Sequence, residues 1–160
     1  MPGFRGTALA GAALATVLSA GAILVACGGG SGSGAAAAGV KLSVADSYIP
    51  MPAGDAMAAG YLTVRNTGGE ADKLLKVSSP GAQSVTLHQS TETTMQEVDS
   101  LPVPAGGTLQ LARGGNHLMI MGWAKPPALG DKLELDLTFE HGGTIAVQVP
   151  VEPLTYRPGS

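Results

Sequence analysis

Cysteine is all but missing: the 160 residues contain one, Cys27, so no disulfide framework can close within a single chain. Charged side chains are also scarce, at 13% against 24 glycines. That composition argues against long solvated helices and leans toward β-structure with glycine turns. Basic residues number 9 and acidic residues 12; without Arg5, which lies in a segment read below as removed, eight face twelve. A mildly acidic chain lacks the basic face that a nucleic-acid partner requires, and it gives no support to an anionic membrane surface as a partner. No internal repeat occurs, and no serine or cysteine nucleophile is paired with a histidine. The serines of 28–34 lie in a tether and the carboxylates are scattered along solvent-facing positions, so the reading is a protein that is not an enzyme. The length supports one ordinary domain and little more.

The N-terminus carries an export signal. Arg5 supplies a positive start, the eighteen residues Ala8 to Val25 are uncharged, and Leu24-Val25-Ala26-Cys27 closes the segment. This resembles a bacterial lipoprotein signal, with small residues before a cysteine that becomes the acylated first residue. A run of this length comes close to spanning a bilayer, so an uncleaved anchor is the competing reading. Its richness in Ala and Gly and the placement of Cys27 favour the lipoprotein. The expected organisation is a signal peptide over 1–26, a Gly/Ser/Ala tether with acylated Cys27 over 27–39, a folded domain over 40–155 and a short tail over 156–160. Either reading puts the domain outside the cytoplasmic membrane, and the lipoprotein anchors it to that membrane's outer face.

The domain reads as short alternating runs. Lys132 to Phe139 sets Leu133, Leu135 and Leu137 on one face and Glu134, Asp136 and Thr138 on the other. Lys41–Val44, Tyr61–Arg65, Ser84–His88, Thr108–Leu111 and Thr144–Val149 repeat the pattern between Gly, Pro and Asn turns. Seven to nine such strands without a long 3.6-residue period predict an all-β, two-sheet antiparallel sandwich.

Alternation also orients the side chains that interest us. After the turn Gly114-Gly115-Asn116 comes His117-Leu118-Met119-Ile120-Met121. If Leu118 and Ile120 face the core, then His117, Met119 and Met121 share the other face. Likewise Val85 and Leu87 inside leave His88 outside with Thr86. A one-residue slip would bury two histidines and expose four aliphatic residues. Imidazole and thioether together suit Cu(I), a soft ion, and thioethers survive in an oxidising compartment where free thiols are lost. The domain's candidates are His88, His117 and His141 with Met51, Met57, Met95, Met119 and Met121.

Twenty-one residues separate Met95 from His117, and Met119 completes His-x-Met. With a histidine upstream at His88, this pattern resembles the periplasmic copper chaperones called PCuAC proteins. Tyr61 to Gly68, Pro104-Ala105-Gly106-Gly107, Gly114 to Met119, and Gly130-Asp131 leading into Leu137 to Glu140 are similar to the family too, so the resemblance covers nearly all of Val40 to Val151. One departure stands out: only six residues separate His88 from Met95, fewer than is usual in the family, which reads as a shortened loop. The resemblance implies a cupredoxin-like sandwich that binds Cu(I) through His88, Met95, His117 and Met119 near an exposed edge. It also implies a protein partner in oxidase assembly, either the copper subunit of cytochrome oxidase or another copper chaperone.

Met121 is a possible auxiliary ligand on the same face. Met51 and Met57, placed in the loop before Tyr61, read better as filler, and His141 as a solvated turn residue. Trp123 either stacks over the ion or packs the loop before Pro126-Pro127. A carrier is the leading function. An electron-transfer cupredoxin needs a cysteine thiolate, and Cys27 lies in the signal. Copper sequestration with the same site and a metal-free interaction sandwich are the remaining alternatives.

Overall fold

The computed structural model describes residues 39–54 and 56–159. The signal peptide, Cys27 and nearly all of the tether lie outside the described residues. Ten strands occur, and no helix is found among the described residues: β1 (Leu42–Pro50), β2 (Met57–Asn66), β3 (Asp72–Ser78), β4 (Ala82–Ser90), β5 (Met95–Glu97), β6 (Leu101–Val103), β7 (Thr108–Leu111), β8 (His117–Trp123), β9 (Lys132–Phe139) and β10 (Thr144–Glu152). The hydrogen-bonded order is β5-β4-β8-β2-β1-β10-β9-β3-β6, with β7 beside β2. The fold is all-β, as the alternation predicts. Ten strands appear where seven to nine were expected, because β5 and β6 are three residues each, too short to show a period.

Pairing is antiparallel throughout except between β1 and β10, which run parallel through Ile49↔Val151 and Pro50↔Glu152. β1 belongs to both layers. Its first half pairs with β2 through Leu42↔Asn66 to Ala45↔Thr63, the register shifts between Ala45 and Tyr48, and Asp46 takes a positive φ of 53°. Such a bulge bends the strand and increases its twist, so that its end can join the second sheet.

One contiguous core fills the space between the layers. It includes Leu62 and Val64 from β2, Leu118 and Ile120 from β8, Leu133, Leu135 and Leu137 from β9, and Val149 and Val151 from β10. These are alternate residues of their strands, as period-2 burial requires. Two buried polar residues tie the turns. Asn66 Oδ1 accepts from the backbone N–H of Gly68 at 2.9 Å, and its Nδ2 donates to the Glu70 carbonyl at 2.7 Å. Asp72 accepts from the N–H groups of Lys73, His141 and Gly142 at 2.8, 2.9 and 2.8 Å, which fixes the β9–β10 turn against β3. The C-terminal segment returns to the body, where the Tyr156 ring meets Tyr48 edge-on at 5.0 Å.

Candidate metal centre

β4 and β8 pair so that His88 lies opposite His117, Thr86 opposite Met119 and Ser84 opposite Met121. The inner positions of these strands go to Leu87, Leu118 and Ile120, all buried, and to the partly buried Val85. That leaves His88, His117, Met119 and Met121 on the outer face, the register expected from the sequence. β5 contributes the remaining candidate ligand: Ser90 pairs with Met95 and His88 with Glu97. Met95 therefore stands one rung beyond the histidines on the same face, while Met119 stands one rung before them. The shortened loop is a tight hairpin over Thr91–Thr94, closed by a backbone bond from Thr91 N to the Thr94 carbonyl at 2.8 Å and by the two threonine hydroxyls at 2.9 Å.

The imidazoles are stacked, with ring centroids 5.6 Å apart and planes 24° apart. His117 is only 8% exposed, although it faces away from the core. The β2–β8 ladder ends at Gly60↔Leu118, and one further step sets Tyr61 at the strand position flanking His117. Tyr61 packs against Tyr48 at 5.3 Å; burial pushes its hydroxyl pKa up, partly offset by Arg113. His117 is thus shielded at a position where the sequence suggested an open surface.

Each ring has one nitrogen committed. His117 Nδ1 lies 3.1 Å from the Gly115 carbonyl oxygen. A carbonyl only accepts, so Nδ1 carries the proton and Nε2 keeps its lone pair. The same carbonyl accepts from Ser90 N at 3.3 Å, and the turn is closed by Ala112 N to the Asn116 carbonyl at 2.9 Å. On His88, Nε2 is hydrogen-bonded to Thr86 Oγ1 at 2.9 Å, whereas Nδ1 is buried with no hydrogen-bond partner. A buried orphan of this kind costs about 1–3 kcal/mol, and a soft cation at Nδ1 would relieve it, with Nε2–H donating to Thr86. The donor set therefore fits a monovalent soft ion: two neutral imidazoles, each held from behind by an oxygen, and two thioethers.

Met95 is 57% exposed at the sheet edge and Met57 53%. Met57 opens β2, opposite Met121, and so lies on a strand rather than in the loop where the sequence placed it. Met51 packs against the core. Trp123 pairs with Ala82, six residues along β4 from His88 and so about 20 Å away. It lines a cleft with Ala124, Lys125 and Leu133, which leaves it as a packing residue. His141 is exposed in its turn, 3.6 Å from Glu140. Asp72, Glu140 and His141 bring ligand atoms within 4.8 Å of one another, but the Asp72 oxygens are taken by backbone N–H groups and Lys73 already sits 3.8 Å from Glu140. A depression of about 600 Å³, lined by Asp46, Arg65 and Thr108 among others, holds none of the four candidate ligands.

Sequence reasoning missed the groups behind the histidines. Thr86 was findable, because it precedes His88 by two and must share its face. The Gly115 carbonyl carries no side-chain signal at all.

Comparison with known proteins shows the family and the fold. Residues 42–151 match the model of the LpqE-like family, described as "Putative lipoprotein LpqE-like". The chain is similar to "Putative lipoprotein Lxx21020" of Leifsonia xyli subsp. xyli, 40% identical over 105 residues, which are 62% of this chain and 63% of that protein. The alignment thus spans less than two thirds of that relative's length. Among solved structures, the copper-bound PCuAC domain of PmoF2 superposes with a TM-score of 0.63 at 25% identity, over 71% of this chain and 93% of that domain. The Cu(I) form of DR1885 from Deinococcus radiodurans gives 0.61 at 29% identity, over 77% of this chain and 85% of that one. From the matched span and the shared sandwich, the chain belongs to the LpqE-like lipoprotein family and has the cupredoxin-like fold of PCuAC domains.

Proposed function

We propose that this chain is a Cu(I) carrier working outside the cytoplasmic membrane, anchored there through acylated Cys27, with His88, Met95, His117 and Met119 as ligands. It hands copper to a protein partner that builds the copper centres of cytochrome oxidase. The observation that carries this reading is the His88–His117 rung, in which one ring has a lone pair reserved by a carbonyl behind it and the other has a buried nitrogen lacking any partner. The copper-bound PmoF2 domain and Cu(I)-DR1885, which share this fold, support it.

The site's chemistry suits a cargo. All four ligands are neutral and none has to lose a proton to bind, so the ion is held by soft donation rather than by charge. The histidine pair sits between a partly buried thioether at Met119 and an exposed one at Met95. Met95 is the ligand an incoming partner can displace first, which opens a coordination position while the imidazoles still hold the ion. No redox change is required, because copper enters and leaves as Cu(I).

The test is competitive titration of the full-length protein in detergent micelles with Cu(I) under a chelator, comparing wild type with His117→Ala and Met119→Leu. Wild type should win copper from chelator concentrations at which both variants fail; equal competition by all three would overturn the carrier. For delivery, deletion in the native host should lower oxidase activity at limiting copper. Unchanged oxidase with greater copper sensitivity would instead favour sequestration.

A further inference from the structure

The methionines are distributed against their ordinary use. Met is usually a filler of irregular core gaps, yet the buried core here is mostly Leu, Ile and Val, with Tyr48, Ala58 and Phe139 and no methionine. Of the six methionines in the sequence, setting Met1 aside leaves five in the folded part, and only Met51 packs against the core. The other four, Met57, Met95, Met119 and Met121, lie on the one outer face that carries the histidines. Two of them are not needed by the four-ligand site. Met57 and Met121 are cross-strand partners on the outermost rung of the β2–β8 ladder, so their Cβ atoms are about 4.5–5.5 Å apart. Met57 is more than half exposed. Met121 follows Met119 by two on the same strand, about 6.8 Å along the face. Gly122 comes next with a φ of 69°, and a Cβ there would meet the Gln83 side chain at 2.6 Å; this close approach holds β8 against β4 beside Met121.

We infer that Met57 and Met121 form a second, weaker position for a soft monovalent cation, a two-thioether step through which Cu(I) reaches or leaves the histidine site by way of Met119. The inference rests on the carrier reading of that site. Two thioethers are enough for Cu(I), which tolerates low coordination numbers, and the absence of an imidazole makes this position the weaker of the two. Movement between them is ligand exchange: a Cu–S bond to Met121 breaks as one to Met119 forms, and the ion stays monovalent throughout. The rung spacing lets long, flexible methionine side chains pass the ion without backbone motion.

The experiment is a titration of the full-length protein in detergent micelles, labelled with ¹³C at the methionine methyls, with Ag(I), a soft monovalent ion that resists air oxidation. The first equivalent should move the methyl signals of Met95 and Met119. The second should move Met57 and Met121, and Met51 should stay in place throughout. Met57→Leu should reduce binding from two ions to one and leave the affinity for the first within about twofold, since Met57 lies on another strand and outside the first site. If Met57 and Met121 stay still beyond the second equivalent, or if all four methyls move together with the first, the second position is overturned while the histidine site stands. If Met95 and Met119 do not respond to the first equivalent, the histidine site itself fails and the transit step fails with it.

Discussion

His88 and His117 are register partners across β4 and β8, stacked at 5.6 Å with opposite ring nitrogens engaged: Nε2 of one by Thr86, Nδ1 of the other by Gly115. Replacing either with alanine removes a proposed ligand and also the stacking surface of its neighbour. Each of His88→Ala and His117→Ala should therefore weaken Cu(I) binding by more than about 100-fold, beyond the 10–100-fold loss typical of a supporting residue. Chelator competition measures this, and a loss below tenfold for His88→Ala would remove that residue from the ligand set.

Thr86→Val keeps the shape of the side chain and deletes the hydroxyl that engages His88 Nε2. Cu(I) affinity should fall about 10–100-fold, while Thr86→Ser should restore most of it. A valine variant that binds like wild type would show that Thr86 does not orient the ring.

Met95→Leu and Met119→Leu should differ in kind. Met95 is exposed on a three-residue edge strand, so its loss should mainly speed Cu(I) release to an acceptor in stopped-flow. Folding stability should change by no more than about 0.5 kcal/mol. Met119 is partly buried between Ala59 and Thr86, and its loss should lower equilibrium affinity more than that of Met95. Equal effects on release and affinity for the two variants would remove the graded order of displacement.

Asp72 supplies a pH dependence unrelated to copper. Burial pushes its carboxyl up, but the N–H groups of His141, Lys73 and Gly142, helped by the His141 side chain, outweigh that and hold it below the ordinary 3.8. A depressed folded value means that the stabilisation is fully present above about pH 3.9, the unfolded value, and is lost as pH falls through the folded one. Asp72→Asn should cost about 2 kcal/mol at neutral pH, where an amide NH₂ is set against a backbone donor. It should also flatten the acid limb of the stability curve. Urea unfolding at pH 7 and pH 3 checks both, and parallel curves for variant and wild type would refute the assignment.

The parts legible in the sequence were those with a period. β9 is found at Lys132–Phe139, as the alternation of its leucines requires, and the outer-face placement of His88 and of the His117–Met119–Met121 row follows from Val85, Leu87, Leu118 and Ile120. Three-residue strands such as β5 hold too little pattern to read, and the start of β2, Met57-Ala58-Ala59-Gly60, is too poor in β-branched residues to stand out from the preceding loop. The parallel pairing of β1 with β10 depends on a bulge at Asp46 that no propensity announces. The burial of His117 goes with the ring of His88 stacked on it from the neighbouring strand, and that packing is a tertiary matter. Shared-face reasoning can set candidate ligands on one face, whereas the oxygen behind each of them is visible only when the chain is folded.

The passage of β1 from one sheet to the other also bears on measurement. A strand common to both layers, over a core that is one cluster, leaves the sheet that carries the histidines no way to melt by itself. Occupancy at the outer face is therefore felt by the domain as a whole. An ion at 100 times its Kd adds about 2.7 kcal/mol to native stability, and that gain should be recorded as fully by the intrinsic fluorescence of Trp123, at the far end of β8, as by any probe beside the histidines. A single whole-domain melting curve can serve as a copper gauge.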